Sequence, residues 1–380
     1  MALVSFPFIN ALFYLGFLMA LISWILIIIK KNYSIAYIMK IPLARELAIL
    51  LLISTITLFY VSDLSYGVRY WSMILQAFLS YLMIYEVIDS KELIMKFKYI
   101  LLIAVLLVAS YGIYGYLVGM NKDRAISFFT NPNYLSVYLL IFIPISLGLA
   151  AEESLSKGKR FLSVIVFIVS SIALVMTLSR GAWLGTIVAL VLFAILKDKR
   201  FLLLLLIVAL IVPFIVPDNV INRFKSITSI NSNMDRINLW SITIEIIKDN
   251  PLLGVGIGNF RNIYAEYTEG KPMIHSHNIF MQFTVELGIP GLLFIIYFIY
   301  LLCKIALTVL KSYDFNKEGG GLVLGTVMSL LALLIDLQFD FQIIDRPTAM
   351  LTLFLVASLV FLARDYYPFK QLSGNDENSN

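Results

Sequence analysis

The chain contains only two histidines, His275 and His277, one residue apart in the run Ile274-His275-Ser276-His277-Asn278. A neutral imidazole accepts a proton near neutral pH, so the pair offers a general base, though it equally offers metal ligands or ordinary loop hydrogen bonds. Metal ligation is the weakest of the three, because no third ligand stands at a recognisable spacing and nearby arginines would repel a cation. Those arginines also favour the neutral imidazole a base requires.

Arg236 lies in a segment, 233–249, whose pattern predicts a helix with Asn233 as N-cap and Pro251 just beyond the end. It projects from the middle of an apolar arc containing Ile237, Leu239, Trp240 and Ile244, so it requires an acidic side chain, a lipid phosphate or a substrate phosphate. Arg180 alone would serve as an interface anchor. Together, Arg180 and Arg236 offer two planar forks able to hold diphosphate oxygens, with Lys122 and Arg124 on the same side. Asp336 and Asp340 are four residues apart on one face of a predicted membrane helix, and such carboxylates are costly and usually functional. They are read as orienting an arginine or His277. The predicted outer loops contain no Asp-x-Asp pair, which argues against a metal-clamped diphosphate. Gly254, Gly256 and Gly258 match no dinucleotide fingerprint; they read as turns, with a phosphate cradle as the lesser option.

The elements that must position these groups follow from composition. The 380 residues are 60% hydrophobic and 14% charged, too apolar to cover a soluble surface of this size. Apolar runs long enough to cross a bilayer fall near 6–29, 44–61, 68–88, 98–119, 133–150, 161–178, 181–196, 201–217, 290–310, 320–341 and 347–363, giving an all-α polytopic membrane protein of about eleven helices. The polar break Ser179-Arg180-Gly181 divides the long run 161–196 into two spans. The first run has no basic n-region and no cleavage site, so it is expected to stay as a helix.

Lys and Arg concentrate in one set of alternate connections, around residues 30–45, 91–98, 157–160, 197–200 and 304–317. The net charge of +5 therefore reads as topology, not as a nucleic-acid footprint. The positive-inside rule places the N-terminus outside and the tail in the cytoplasm. The expected organisation is membrane helices over 1–217, an extracytoplasmic folded loop over 218–289, further helices over 290–363 and a cytoplasmic tail over 364–380. The single cysteine, Cys303, excludes an internal disulfide and reads as simple packing within an apolar helix.

Thr177-Leu178-Ser179-Arg180-Gly181, Asp235-Arg236-Ile237-Asn238-Leu239-Trp240, Asn250-Pro251-Leu252-Leu253-Gly254-Val255-Gly256, and His277-Asn278 followed by Glu286-Leu287-Gly288-Ile289-Pro290-Gly291 together resemble the O-antigen ligase and polymerase superfamily, over about 128–291. The resemblance implies a metal-independent inverting glycosyltransferase of the lipid-donor membrane fold, without a cofactor, in the bacterial cytoplasmic membrane with its site on the extracytoplasmic face. It implies that Arg180 and Arg236 bind the undecaprenyl diphosphate of a glycan donor and that His277 activates the hydroxyl of a lipid, glycan or protein acceptor. His275 and Arg124 are then further substrate contacts, and Asp336, Asp340, Asn278 and Glu286 hold these groups in place. Family members commonly have about twelve spans and a cytoplasmic N-terminus, which implies that a first helix is absent here or the start shortened.

Repeat-unit polymerisation and protein O-glycosylation would use the same machinery as ligation. A flippase for lipid-linked glycans would need midplane charges and usually repeated halves, and neither stands out.

Overall fold

The computed structural model describes residues 10–88, 91–120, 123–215, 217–227, 229, 233–315, 319–364 and 366–367, and among these every regular element is helical. In chain order the helices are α1 Asn10–Lys31, α2 Ile35–Ile38, α3 Ala44–Thr57, α4 Leu64–Val87, α5 Lys91–Leu117, α6 Pro132–Ala150, α7 Lys157–Met176 and α8 Arg180–Lys197. They continue with α9 Arg200–Ile215, α10 Asp218–Lys225, α11 Met234–Asp249, α12 Phe260–Tyr267, α13 Ile279–Ser312, α14 Gly320–Asp336 and α15 Arg346–Ala363. Seven of the described helices (α1, α5, α6, α7, α8, α13 and α15) are long and apolar enough to cross a membrane, and α14 is a shorter apolar helix. This is a multi-pass membrane architecture. Each of the eleven apolar runs read from sequence overlaps a described helix, seven of these being long and apolar enough to cross, and the first run begins outside the described residues.

Helices α6, α14 and α15 form the centre of the bundle, with almost every residue buried. Apolar burial cannot draw helices together in lipid, so close contact depends on small residues. A Cβ added to Gly148 of α6 would lie 2.0 Å from the Gly321 carbonyl oxygen of α14, and one added to Gly185 of α8 would lie 2.4 Å from that of Ala332. Four helices start at the same end with an Asp or Asn side chain accepting from a first-turn N–H: Asp63, Asn131, Asn278 and Asp345 cap α4, α6, α13 and α15.

The segment between α9 and α13 is a folded helical cap with its own apolar cluster, in which Leu239, Ile246, Val255, Phe260 and Tyr264 pack against Val285 of α13. Helix α11 begins one residue after Asn233, but the Asn233 amide donates to the carbonyls of Ile227 and Ser229 and does not cap the helix. The glycine-rich stretch docks into a break in α13 at Gly288, which has φ +64° and ψ −156°. There Val255 and Gly256 donate to the Val285 and Glu286 carbonyls, and Ile289 donates to that of Pro251. These amides are spent on packing, so the turn reading holds and they are not available to cradle a phosphate.

Three expectations need correction or fall outside the described residues. Asp336 and Asp340 do not both belong to the helix: α14 ends at Asp336, and Asp340 follows in a turn whose Phe339 and Asp340 N–H groups both donate to the Asp336 carbonyl. Cys303 faces outward from α13 and does not pack inside the bundle. Lys122 and most of the tail lie outside the described residues.

The glycine contacts make a direct comparison possible. Gly148→Ala is expected to lower the thermal midpoint of the detergent-solubilised protein, at a cost of about 1–3 kcal/mol from overpacking. Gly158→Ala, on α7 with nothing within 4 Å of its added Cβ, is expected to be neutral or stabilising by at most about 1 kcal/mol.

Candidate functional site

The short loop between α12 and α13 is tightly pinned. The Ser276 N–H donates to Gln282 Oε1 at 2.7 Å, the Ser276 carbonyl accepts from the Trp240 indole at 3.0 Å, and the Asn278 amide donates to the Gln338 carbonyl. His277, between these anchors, adopts φ +56°, a conformation rarely taken by a residue with a side chain. The strain is held by the flanking hydrogen bonds, and it turns the imidazole toward the end of α14.

There His277 Nδ1 lies 2.8 Å from Asp340 Oδ1. An ionised carboxylate only accepts, so this contact selects the tautomer with hydrogen on Nδ1 and leaves the Nε2 lone pair free for a proton. The other Asp340 oxygen accepts from Asn133 Nδ2 at 2.5 Å; Asn133 Oδ1 in turn accepts from Arg124 Nη2 at 2.6 Å, and Arg124 Nε donates to the Thr177 carbonyl. Burial pushes the Asp340 carboxyl up, but the hydrogen bond and charge of His277, with His275 beyond, outweigh it and bring the group down to about 2. Burial, then the neighbouring His277, draws His275 down to about 4. Burial and the charge of Arg223 lower Arg124 only to about 10, so it stays cationic.

Beside this chain of contacts a cleft of about 230 Å³ is lined by Arg180, Gly181, Asn233, Arg236, Trp240 and Phe339, among others. Arg180 comes from the first residue of α8 and Arg236 from the third of α11. Arg180 donates to the Ser226 carbonyl at 2.8 Å, and the charges of Arg223 and Arg236 reach it. Arg223, on α10, donates through Nε to the Leu178 carbonyl, and burial followed by the nearby Arg236 lowers its pKa. Among the described residues no carboxylate lies within 4.0 Å of Arg124, Arg223 or Arg236. Arg180 and Arg236 thus line one cleft, with Arg223 near enough for its charge to be felt, an arrangement suited to a polyanion.

Of the groups expected from sequence, His277, His275, Asp340, Arg180 and Arg236 come together at this end of the bundle. Arg124 is directed inward to Asn133 and Thr177, away from the cleft wall. Asn278 caps α13 through the Met281 N–H. Glu286 is buried farther down α13, at the break where its backbone carbonyl accepts from Gly256 of the glycine loop. Asp336 is buried beneath the cleft, its oxygens without a hydrogen-bond partner among the described residues and Oδ1 2.6 Å from where a Gly181 Cβ would stand. Arg223 and Asn133 were not marked in the sequence. The available signal for Arg223 was its place in a short polar helix on the same side as Arg180 and Arg236.

Metal ligation has more geometric support than the spacing suggested, since Asp340 supplies the missing third ligand: His275, His277 and Asp340 bring one ligand atom each to within 4.8 Å of one another.

Residues 165–296 match the family model described as O-antigen ligase. The matched stretch contains Arg180, Arg223, Arg236, His275 and His277, and bears out the resemblance read from the motifs. A comparison with curated proteins finds no match.

Asn133→Ala would leave a buried carboxylate oxygen and a guanidinium N–H unpaired at once. It is expected to destabilise the detergent-solubilised protein by about 1–3 kcal/mol, read as a lower thermal midpoint, whereas Asn131→Ser, which keeps a capping oxygen at the start of α6, is expected to cost a few tenths of that.

Proposed function

Proceeding from the similarity to the O-antigen ligase family, we propose that this membrane protein transfers a glycan from undecaprenyl diphosphate to an acceptor hydroxyl on the extracytoplasmic face of a bacterial cytoplasmic membrane. The observation that carries the reading is the 2.8 Å contact of His277 Nδ1 with Asp340, beside a cleft lined by Arg180 and Arg236.

The donor's diphosphate occupies the cleft, where Arg180 and Arg236 bind its oxygens and Arg223 adds a third positive charge. The acceptor hydroxyl gives its proton to His277 Nε2 as its oxygen attacks the anomeric carbon. The bond from that carbon to the phosphate oxygen breaks, and its electron pair leaves on the diphosphate. The attack comes from the face opposite the leaving group, so the anomeric configuration inverts. Asp340 stabilises the imidazolium formed in this step, as the carboxylate does in a serine-hydrolase triad. Arginines arranged before the reaction stabilise developing phosphate charge without reorganising, and water exclusion strengthens them. This chemistry needs no metal, because cationic side chains neutralise the leaving group. Ligation and polymerisation differ in the acceptor, a lipid or protein in one case and another lipid-linked repeat unit in the other.

The basic connections support the extracytoplasmic placement. Lys197, at the far end of α8 from Arg180, donates to the Phe315 carbonyl, and Arg160 donates to the Ala150 carbonyl at the same far end.

In proteoliposomes with a defined lipid-linked glycan, His277→Ala is expected to reduce transfer about 10²–10⁴-fold, the usual worth of a general base, while the protein stays folded with a thermal midpoint lowered by the loss of a partner for Asp340. Unchanged turnover would remove His277 from the role. Arg180→Ala and Arg236→Ala should each reduce transfer about 10²–10³-fold, with Arg223→Ala smaller in effect, all measured against donor concentration. A chelator should not lower the rate; a loss restored by divalent metal would overturn the metal-free mechanism. A ladder of products indicates polymerisation, and a single addition indicates ligation.

A further inference from the structure

We propose that His275, His277 and Asp340 form a reversible binding site for a zinc-type transition-metal dication, and that filling it shuts the transfer reaction off. The second half rests on the reading of His277 as the base; the first half does not.

Three observations point to the ion. The first is donor type: two imidazoles and one carboxylate form the ligand set that zinc uses with an open fourth position, whereas magnesium and calcium select oxygen cages. The second is spacing. His277 Nδ1 and His275 Nε2 lie 2.8 and 3.9 Å from the same oxygen, Asp340 Oδ1. Tetrahedral ligands at about 2.0 Å from a metal stand about 3.3 Å apart, between these two distances, so small side-chain shifts complete the site.

The third observation is His275 itself. It is only 9% exposed, its Nδ1 is buried without a partner, and its Nε2 stands beyond hydrogen-bond reach of Asp340. A structural histidine this deeply buried would normally donate from one ring nitrogen and accept at the other. His275 does neither among the described residues, and its ring meets that of His277 edge-on at 4.2 Å between centroids.

The framework is already rigid where ligands must be fixed. Ser276, between the two imidazoles, is tied by Gln282 on one side and Trp240 on the other, and Asn133 holds the second Asp340 oxygen. Outer partners of this kind orient metal ligands. Arg180, Arg223 and Arg236 oppose a dication, while Asp340 neutralises one of its charges. The result is a site that fills and empties with the available metal and is not permanently loaded. An ion there takes up a His277 lone pair and the Asp340 carboxylate together, which leaves no base for the acceptor.

The test uses tag-free, full-length protein in detergent, titrated with Zn²⁺ against a chromophoric chelator, with Mg²⁺ as the contrasting ion. One Zn²⁺ per chain is expected, with no Mg²⁺ competition, and at least tenfold weaker binding in His275→Ala and in Asp340→Asn. Circular dichroism and thermal midpoints establish that each variant is folded. Should a variant fail to fold, Co²⁺ added to the wild-type protein decides: visible tetrahedral absorption that Zn²⁺ displaces supports the site, and octahedral absorption only overturns it. Absence of binding, or undiminished binding in folded variants, also overturns the site. Transfer in proteoliposomes should fall at least tenfold when Zn²⁺ saturates the site and recover with chelator. Zinc bound as expected with transfer unchanged overturns the shut-off and the base role together. No zinc binding, with transfer still lost in His277→Ala, overturns the site and leaves the base role standing.

Discussion

A buried carboxylate that must remain ionised sets the terms for this structure. Asp340 is 3% exposed, and burying its charge without compensation would be prohibitive. Compensation arrives from three parts of the chain: His277 from the loop before α13, Asn133 from the first turn of α6, and Arg124, acting through Asn133, from the loop before it. Removing one partner exposes the rest to the same penalty, so the network is cooperative and fixes the relative positions of α6, α13 and α14 at this end of the bundle. Histidine orientation is thereby a property of the packed core, although His277 itself is partly exposed.

The membrane setting makes this precision attainable. Helices that approach through Gly148, Gly321 and Gly185 leave little room for their ends to move. The Asp and Asn caps at the same end fix where α4, α6, α13 and α15 begin. Above them, the folded cap supplies Arg223 and Arg236, whose mutual repulsion with Arg180 would scatter three solvated side chains. Here backbone carbonyls of Ser226 and Leu178 accept from Arg180 and Arg223, which holds the cations together.

Much of this was legible in the sequence, for identifiable reasons. Apolar runs report their own burial, so an all-helical membrane protein and the break at Ser179-Arg180-Gly181 followed from residue type alone. Arg236 was legible because a cation in an apolar arc is a local contradiction. Asp340 was legible as a costly carboxylate, but its partner was not, since 63 residues separate it from His277. The error over Asp336 and Asp340 has a simple cause: an i, i+4 spacing implies a shared face only while the helix continues, and α14 stops at the first of the pair. Asn133 and Arg223 carried little local signal. An asparagine after a proline at a helix start reads as turn chemistry, and an arginine in a short polar helix reads as a solvated side chain.

The turn after α14 also explains how one histidine can meet two unlike environments. Phe339 lines the cationic cleft, and Phe341 lines an apolar chamber bounded by α3, α4, α13, α14 and α15. Asp340 lies between them and holds His277. On the apolar side the Phe341 ring stands 6.3 Å from that of His275. Three successive residues, 339 to 341, thus serve the cleft, the histidine and the apolar chamber in turn, in the turn that begins where α14 ends at Asp336.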